Sequence, residues 1–307
     1  MTIFGILPAL VTPFREDDTI DHGVLRRLVR HHLGKGCHGF YLCGSTGEGL
    51  LLSRDERRSV VETVLEEVAG AVPVVVHVGT LSTAEAVRLA EDAKRAGAAA
   101  VASLPPLYYR VGPKGIEEHL KAIAVGSELP TYYYHIPELT GVFENPEEFI
   151  ETLGRVPGVV GVKFTSSDLY LMWAALETSG GRLSVLNGRD QMLVQALVTG
   201  ARGGVGSTYN YQIETIVGLY EAFCAGDLEG AKRLQWRANR VIRLLIRHGG
   251  NLAAEKAILR LMGFEVGRPR GPLTPYPEER MEVLRRDLEE IGLLRETNRA
   301  APQPASA

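Results

Sequence analysis

A lysine interrupts an apolar, strand-like segment of the chain. Residues 159–165, VVGVKFT, are β-branched and apolar apart from Lys163. This composition is typical of a strand that is buried on both faces of a parallel sheet. A buried ammonium loses its hydration, which favours the neutral amine, a nucleophile that can condense with a ketone. The structural alternative is a lysine at the strand end that extends to solvent or pairs with Asp168 or Asp190.

The other six lysines of the chain occur in a different context. They lie in or beside segments whose charge pattern is typical of solvated helix faces. These lysines are Lys35, Lys94, Lys114, Lys121, Lys232 and Lys256. The sequence therefore predicts that only Lys163 lies in a buried strand.

Polar side chains recur where the predicted strands end. In a parallel barrel the carboxyl ends of the strands meet at one face, so these side chains are expected near Lys163. Each one alone has a structural explanation, because Ser and Thr satisfy turn backbones and tyrosines pack in cores with the hydroxyl at the surface. The set is Ser45, Thr46, Glu48, Tyr108, Tyr109, Tyr134, His135, Thr165, Asn187, Asp190, Gln191, Ser207 and Thr208.

The loop at residues 44–49, GSTGEG, is similar to a loop that cradles phosphate. It lacks both the spacing of the dinucleotide fingerprint and the Gly-Lys-Ser/Thr of nucleotide-binding loops, so we do not expect a nucleotide. Backbone N–H groups and the hydroxyls of Ser45 and Thr46 can instead bind a carboxylate. A 2-oxo acid bound there would present its ketone to Lys163.

These candidate residues need a scaffold, and the sequence predicts eight strand–helix units. Capping boxes at Ser53 and Ser82, and an Asn145-Pro146 pair before an acidic turn, mark helix starts. Eight such units with short connections indicate an α/β fold, a (β/α)8 TIM barrel, with an open doubly wound sheet as the alternative. The strands are expected at residues 5–11, 39–43, 72–79, 98–104, 130–136, 159–165, 183–186 and 203–206.

Three amphipathic segments follow the predicted barrel of residues 1–225. We expect residues 226–295 to form a helical appendix packed on the barrel, and residues 296–307, rich in Ala, Pro and Ser, to be disordered and without catalytic role. The helices are predicted at residues 227–248, 252–262 and 278–293, with a Pro-Gly-rich break at 267–277.

The composition excludes several classes of function. The chain has 307 residues, 45% hydrophobic and 23% charged, with a formal net charge of -3, so neither nucleic acid nor membrane is an expected partner. Three cysteines, Cys37, Cys43 and Cys224, occur without metal-ligand spacing, which predicts reduced thiols and no metal. Because no targeting or membrane-spanning segment is visible, we expect a cytoplasmic protein.

Four motifs together resemble one enzyme superfamily over about residues 3–293. They are GSTGE at 44–48, YYYHIP at 132–137, GVKFT at 161–165 and GGVGSTYN at 203–210. Their order and spacing are similar to those of the N-acetylneuraminate lyase and dihydrodipicolinate synthase superfamily of pyruvate-dependent class I aldolases. The resemblance implies a TIM barrel whose lysine forms a Schiff base with the substrate, without a metal or other cofactor.

The resemblance also implies residue roles at the pyruvate end. Lys163 matches the Schiff-base lysine and Tyr134 the proton relay. Ser45 and Thr46 match the residues that bind the pyruvate carboxylate, assisted by the backbone near Val205.

Members of this superfamily are typically homotetramers built as dimers of dimers. Tyr108 matches the tyrosine that reaches the site of the neighbouring subunit, where it could hydrogen-bond to Tyr134 and tune its phenol for proton transfer. The expected partners are therefore a small 2-oxo acid substrate and further copies of the same chain.

One position argues against the synthase branch. Synthases resemble Tyr-Asn-Val-Pro-x-Arg-Thr after strand five, and the arginine holds the carboxylate of aspartate semialdehyde. Here residues 134–140 are YHIPELT, so Leu139 occupies the arginine position. An aliphatic side chain cannot replace a bidentate carboxylate clamp, and we therefore expect no synthase activity.

The remaining motifs resemble the N-acetylneuraminate lyase branch. In that branch the sugar hydroxyls are held at positions that match Thr165, Gly188, Asp190, Gln191 and Ser207. The lyases carry glutamate where this chain has Gln191, so one contact to the polyol becomes neutral and weaker. This departure leaves the sugar open.

The sequence thus predicts a carbon–carbon lyase that cleaves N-acetylneuraminate to N-acetylmannosamine and pyruvate. The alternatives are a 2-keto-3-deoxy sugar acid aldolase or dehydratase of the same superfamily, then dihydrodipicolinate synthase. A catalytically silent sugar-acid sensor on the same fold is an alternative of another class. Joint retention of Lys163, Tyr134 and both loop hydroxyls argues against a sensor.

Overall fold

Eight parallel strands form the centre of the molecule. The computed structural model describes residues 2–141 and 145–294, and in them the strand order is β1-β8-β7-β6-β5-β4-β3-β2. A parallel bridge between Ala9 and Tyr41 brings the two edges of the sheet together, which confirms the predicted barrel. The strands are β1 (Gly5–Pro8), β2 (Phe40–Leu42), β3 (Val74–His77), β4 (Ala100–Ser103), β5 (Thr131–His135), β6 (Val159–Phe164), β7 (Ser184–Asn187) and β8 (Gly203–Gly206).

Helices surround these strands and extend beyond them at the carboxyl terminus. Short 3-10 turns occupy Gly49–Leu51, Asp190–Met192 and Glu278–Arg280. The α-helices of the described residues are α1 (His22–Gly34), α2 (Arg54–Val68), α3 (Thr83–Ala96), α4 (Pro113–Ser127), α5 (Pro137–Thr140), α6 (Pro146–Gly154), α7 (Leu169–Thr178), α8 (Leu193–Thr199), α9 (Tyr209–Cys224), α10 (Leu228–Arg247), α11 (Leu252–Leu261) and α12 (Met281–Glu290).

The alternation of side chains along β5 decides which residues face the barrel interior. Tyr132 belongs to the interior cluster with Leu7 and Val205, whereas Tyr133 packs outward in the cluster beneath the helices. By the same period of two, Tyr134 faces inward. A side chain at Gly161 of the adjacent strand would lie 2.4 Å from the Tyr132 ring, so glycine is required there for close packing.

Local sequence explains most helix starts. Ser53 forms a complete capping box with Glu56, and Ser82 and Asn145 accept hydrogen bonds from the first turns of α3 and α6. Helix α7 begins at Leu169, later than the predicted start near Ser166, because the Asp168 carboxylate accepts from the Leu171 N–H and caps it.

Two further differences from prediction involve proline and the chain terminus. Pro137, expected only to end β5, also occupies the first turn of the short helix α5, as its fixed φ allows. The carboxyl-terminal helices α10 and α11 lie close to their predicted bounds, and α10 packs on α8 and α9. The predicted disordered tail, residues 296–307, lies outside the described residues. In the part of the chain that the structure describes, each helix is too short or too polar to cross a membrane.

Candidate active site

Lys163 projects into the barrel between aromatic rings. Its residue is 5% exposed, and its register partner on β5 is Tyr134. The Nζ atom lies 4.2 Å from the centroid of the Tyr134 ring and 4.3 Å from that of the Tyr41 ring. Among the described residues Lys163 forms no ion pair, so the alternative of a salt bridge to Asp168 or Asp190 is not observed. The lysine is therefore buried, as the strand pattern predicted, and its neighbours are aromatic rings.

Two residues that sequence reasoning missed complete this cluster. Tyr41 on β2 and His77 on β3 place their rings 6.3 Å and 5.8 Å, respectively, from the ring of Tyr134. Burial, with smaller contributions from the charges of Arg57 and Lys163, lowers the pKa of His77 to about 3, so the imidazole is neutral. Burial also raises the pKa of Tyr41 well above its ordinary value, and its hydroxyl lacks a hydrogen-bond partner in the described chain. The cluster therefore contains a buried hydroxyl that has no hydrogen-bond partner within the described residues.

The loop of residues 44–49, called here the carboxylate loop, follows β2 at the rim of the barrel. Ser45 is exposed and Thr46 half-buried, so both hydroxyls are accessible. The loop backbone is braced, since Thr12 donates to the Gly47 carbonyl at 2.7 Å and Arg57 donates to the Gly49 carbonyl at 2.6 Å. A side chain at position 49 would collide with the Cys43 carbonyl at 1.8 Å, so the tight loop requires glycine. The loop thus presents its hydroxyls from a fixed backbone.

Three of the predicted sugar-binding residues lie together at the ends of β6 and β7. The hydroxyl of Thr165 is buried and has no hydrogen-bond partner within the described residues. Gly188 packs directly against it, because a Cβ atom there would lie 1.9 Å from Thr165 Oγ1. Asp190 is 6% exposed, and its Oδ2 accepts from the backbone and hydroxyl of Thr208 at 2.9 Å and 2.7 Å. Its Oδ1 is left without a partner in the described chain.

Burial raises the pKa of the Asp190 carboxyl, although the hydrogen bonds from Thr208 and the charge of Lys163 oppose this shift. An unpartnered, buried carboxylate oxygen is costly unless a ligand satisfies it. Asp190 Oδ1 and the Thr165 hydroxyl are therefore the two atoms here that are suited to meet substrate hydroxyls.

Ser207, predicted to contact the sugar, has a partner that sequence reasoning missed. Its hydroxyl donates to Glu255 Oε1 on helix α11 at 2.6 Å. Burial raises the pKa of Glu255 to about 7, with a further contribution from Asp190, while the bond from Ser207 lowers it. The neighbouring Val205 is 1% exposed and packs inside the barrel. Gln191 is half-buried and is the second residue of the 3-10 turn that Asp190 begins.

The prediction that Lys256 lies on a solvated helix face is wrong. This lysine is 1% exposed, and its Nζ lies 2.6 Å from Glu48 Oε1 in the carboxylate loop. Its Nζ also donates to the carbonyl of Thr12 at 2.9 Å. The burial of Lys256 could not be predicted, because a helical spacing cannot show which face of an appended helix meets the barrel.

Tyr108 is not brought to Lys163 within this chain. It is 90% exposed, with φ of 73°, and its ring contacts that of Tyr109. Together with Leu139, which is 68% exposed on α5, it lines a groove of about 640 Å³. The predicted role of Tyr108 in a neighbouring subunit stays a prediction.

The fold and the site together define a class of protein. A (β/α)8 barrel with a buried lysine at the carboxyl ends of its strands is the architecture of a class I aldolase, which forms a Schiff base with its substrate. Within residues 2–141 and 145–294, no group of three His, Cys, Asp or Glu side chains is arranged to hold a metal ion.

Comparison with known proteins identifies the family. The model of the dihydrodipicolinate synthetase family matches residues 2–291. The chain belongs to this family, and the predicted recognition and the predicted class, a carbon–carbon lyase, are confirmed.

Individual relatives are similar over nearly the whole chain. An N-acetylneuraminate lyase of Rhizobium meliloti (strain 1021) is 35% identical and covers 97% of this chain and 98% of the relative. An N-acetylneuraminate lyase of Salmonella agona (strain SL483) is 40% identical over 92% of this chain and 94% of the relative.

Solved structures of both branches share the fold. The Proteus mirabilis N-acetylneuraminate lyase superimposes with a TM-score of 0.88 at 29% identity, covering 96% of this chain and 100% of the other. Dihydrodipicolinate synthase from Aquifex aeolicus gives a TM-score of 0.88 at 26% identity, covering 95% and 99%. Backbone similarity therefore does not separate the branches, and the side chains of the site must do so.

Proposed function

We propose that this chain is a Schiff-base-forming lyase that cleaves N-acetylneuraminate to N-acetylmannosamine and pyruvate. The observation that carries the proposal is the position of Lys163, buried and with Nζ 4.2 Å from the ring centroid of Tyr134. The relatives named N-acetylneuraminate lyase, 35% and 40% identical, support the choice of sugar acid.

The reaction begins at Lys163. Its unprotonated amine adds to the C2 ketone of the open-chain sugar acid, and loss of water gives an imine that takes up a proton from solvent. The imine nitrogen accepts the electron pair of the C3–C4 bond as that bond breaks, and Tyr134 relays the proton of the C4 hydroxyl to C3 of the resulting enamine, because its phenol accepts one proton as it donates its own. The aldehyde sugar leaves, and water hydrolyses the imine, now protonated at C3 by this relay, to pyruvate and free lysine. The covalent lysine adduct serves in place of a metal or organic cofactor.

The bond that is cleaved divides the substrate site of the protein into two halves, one around the pyruvate part of the substrate and one around its polyol tail. In the pyruvate half (Tyr41, His77, Tyr134 and Lys163) the rings exclude water from the imine. The hydroxyls of Ser45 and Thr46 and the backbone near Val205 hold the carboxylate.

The polyol half (Thr165, Gly188, Asp190, Gln191 and Ser207) holds the sugar tail. Thr165 Oγ1 and Asp190 Oδ1 are buried and without partners in the described chain, so sugar hydroxyls can satisfy both. Gly188 keeps space for the tail against Thr165, since any Cβ there would displace the threonine hydroxyl.

One observation favours a second candidate function. Gln191 offers the polyol a neutral amide, whereas the lyases of the resembling branch carry a glutamate at this position. A shorter polyol with different stereochemistry would lose less from this change, so cleavage or dehydration of a 2-keto-3-deoxy sugar acid is the alternative.

We do not expect dihydrodipicolinate synthase activity from this chain. Leu139 lies 68% exposed on α5, at the position where the synthase motif carries its carboxylate-binding arginine. We expect condensation of pyruvate with aspartate semialdehyde to be slower than sugar-acid cleavage. A faster condensation would refute this assignment.

We extend the proposal to the assembly. Tyr108, 90% exposed in a single chain, would meet the Tyr134 site of a neighbouring subunit in a homotetramer built as a dimer of dimers. Sedimentation of the protein as a monomer with full activity would contradict this role.

Two experiments test the function. Borohydride reduction in the presence of pyruvate is expected to attach the three-carbon unit to Lys163, and mass mapping identifies the labelled lysine. A pyruvate-release screen over N-acetylneuraminate and several 2-keto-3-deoxy sugar acids then ranks the substrates. Label on another lysine would refute the site, and a higher rate with a 2-keto-3-deoxy acid would select the alternative.

A further inference from the structure

Helix α11 places two adjacent charged residues inside the protein. Glu255 is 7% exposed and Lys256 is 1% exposed. Because an isolated buried charge is costly, each of these side chains must be paired or hydrogen-bonded to persist. Their partners lie at opposite ends of the proposed substrate site.

Lys256 is directed to the carboxylate loop. Its Nζ lies 2.6 Å from Glu48 Oε1 and donates to the carbonyls of Thr12 and Arg268 at 2.9 Å and 3.2 Å. The buried ammonium thus has one ion pair with a carboxylate and two hydrogen bonds to carbonyl oxygens. Glu48 itself has a left-handed φ of 54°, and its Oε2 accepts from the Arg270 N–H at 2.7 Å. The strained end of the carboxylate loop is thus held from the carboxyl-terminal segment.

Glu255 is directed to the polyol half. Its Oε1 accepts the hydrogen bond of Ser207 at 2.6 Å. A serine hydroxyl has one proton, so a serine that donates to a carboxylate presents only lone pairs to a ligand. While Glu255 is ionised, the substrate group that meets Ser207 must therefore be a donor, either a hydroxyl or an amide N–H.

The strand order places both contacts under one helix. Strands β8, β1 and β2 lie side by side in the barrel. Ser207 follows β8, Thr12 follows β1 and Glu48 follows β2. The loops after β1 and β2 are also joined to each other, since the Thr12 hydroxyl donates to the Gly47 carbonyl at 2.7 Å. Helix α11 therefore spans the loops of three neighbouring strands.

We infer that α11 positions the substrate at both ends, through Lys256 and Glu48 at the carboxylate and through Glu255 and Ser207 at the polyol. This inference rests on the proposed function. Neither α11 residue touches the reacting atoms, so both are positioning residues. The appended helices are accordingly part of the substrate site, and the chemical class accepted at Ser207 is a hydrogen-bond donor.

The contact between Glu255 and Ser207, called here the polyol arm, is tested with Glu255→Gln. The groups that face Glu255 are Ser207, Asp190 and Tyr211, and burial holds the pKa of Glu255 at about 7. The amide resembles the protonated acid, so we expect KM for N-acetylneuraminate to rise about fivefold at about pH 8, where one hydrogen bond is weakened. Near pH 5.5, KM should equal that of the unmodified enzyme. A purely structural role would give the same ratio at both pH values, and that result would overturn the polyol arm.

The contact between Lys256 and Glu48, called here the carboxylate arm, is tested with the double variant Glu48→Gln/Lys256→Met. It removes both charges together, so that no unpaired charge stays buried and the protein can fold. The pyruvate concentration that gives half-maximal borohydride trapping should rise about tenfold, whereas it should stay unchanged in Glu255→Gln. An unchanged pyruvate dependence in the folded double variant would overturn this arm.

A matched control lies on the same helix. Arg260 forms a surface pair with Glu278 at 3.4 Å, with side-chain exposures of 34% and 74%. Arg260→Met should leave both measurements unchanged, and a shift equal to that of the double variant would overturn the inference. If the unmodified enzyme trapped no pyruvate, the proposed function itself would be refuted, and this inference with it.

Discussion

The side chains of the pyruvate half stand on strands inside the barrel, whereas those of the polyol half stand on loops after β6, β7 and β8. Tyr134 and Lys163 are register partners on adjacent strands, so the ladder fixes their separation. Ser207 depends instead on Glu255, a residue from a helix outside the barrel. The chemistry thus rests on the rigid scaffold, and recognition of the sugar rests on contacts that can change without disturbing it.

The two halves also respond to pH in opposite directions. In the pyruvate half, burial lowers the pKa of His77 to about 3, so stability from the neutral imidazole is lost as pH falls from 6.5. In the polyol half, burial raises the pKa of Glu255 from 4.5 to about 7, so stability is lost as pH rises through that window. A substitution in one half should therefore be distinguishable from a substitution in the other half by the pH dependence of stability, as well as by pyruvate trapping and sugar-acid cleavage.

Removal of Lys163 should have the largest effect. Lys163→Ala eliminates the amine that forms the imine, so we expect pyruvate trapping to vanish and kcat to fall by at least about a thousandfold. The control is Lys232→Ala, because Lys232 forms a surface pair with Glu229 on α10. If trapping persisted in Lys163→Ala and the label mapped to Lys256, which is also buried, imine formation would not occur at Lys163 and the assignment of the pyruvate half would be wrong.

Tyr134→Phe should rank second. The substitution keeps the ring beside Lys163 Nζ but deletes the hydroxyl that moves the C4 proton, a loss of about 10²- to 10⁴-fold in kcat. Trapping of pyruvate should continue, since imine formation does not require cleavage of C3–C4. Tyr170→Phe, on the 68% exposed Tyr170, serves as the control. Equal losses in trapping and cleavage would contradict a specific role in proton transfer.

Glu255→Gln should alter the pH dependence of stability. In the unmodified protein the unfolded chain loses its proton above about pH 4.5 while the folded chain retains it to about 7, so unfolding becomes easier as pH rises. In the variant the free energy of unfolding should not fall in this way. The difference in unfolding free energy between the variant and the unmodified protein should therefore shift by about 2 kcal/mol in favour of the variant from about pH 5 to about pH 8. Urea denaturation at both pH values measures it. A constant difference would show that Glu255 titrates normally.

The pyruvate half could largely be predicted from the sequence. The β-branched run around Lys163 predicted a buried lysine, and the resemblance to the aldolase superfamily implied that Tyr134 belongs to the same site; in the structure the two are register partners. Tyr41 and His77 were missed because one aromatic or histidine residue within a strand usually packs in a core without other function. Their proximity to Lys163 depends on the closure of the barrel, which links strands far apart in sequence.

The support of the polyol half could not be predicted. Glu255 and Lys256 follow one another on an amphipathic helix, and charged neighbours on such a helix are usually solvated. Only the docking of α11 over the loops after β8, β1 and β2 buries them. Sequence periodicity indicates that a helix has an apolar face, but it does not identify the surface against which that face packs.

Gly188→Ala should disturb only the polyol half. A Cβ atom at this position would lie 1.9 Å from Thr165 Oγ1 and displace it. Loss of one hydrogen bond to the sugar should lower kcat/KM for the sugar acid about tenfold, with pyruvate trapping unchanged. Gly34→Ala is the control, because a Cβ there meets nothing within 4 Å. A loss of trapping would show that the halves are not independent.

The smallest expected effect belongs to Gln191→Glu. Gln191 is half-buried, and its backbone carbonyl accepts a hydrogen bond from Asn239 on α10 at 3.2 Å. Helix α10 therefore holds the backbone at this position. Its place directly after Asp190 puts it at the polyol half, beyond the bond that is cleaved. A carboxylate there would give a charge-assisted hydrogen bond to a sugar hydroxyl, stronger than the amide contact by about 1 kcal/mol.

Because energy from the sugar tail also orients C4, this gain should appear in both kcat and KM. We therefore expect kcat/KM for N-acetylneuraminate to rise several-fold, by about 1 kcal/mol of transition-state stabilisation, with no change in pyruvate trapping. Gln195→Glu, on the exposed side of α8, controls for the added charge. If the ranking of sugar acids did not change, Gln191 would not face the polyol. If trapping were abolished, the position would belong to the pyruvate half, and the division of the site at the C3–C4 bond would have to be redrawn.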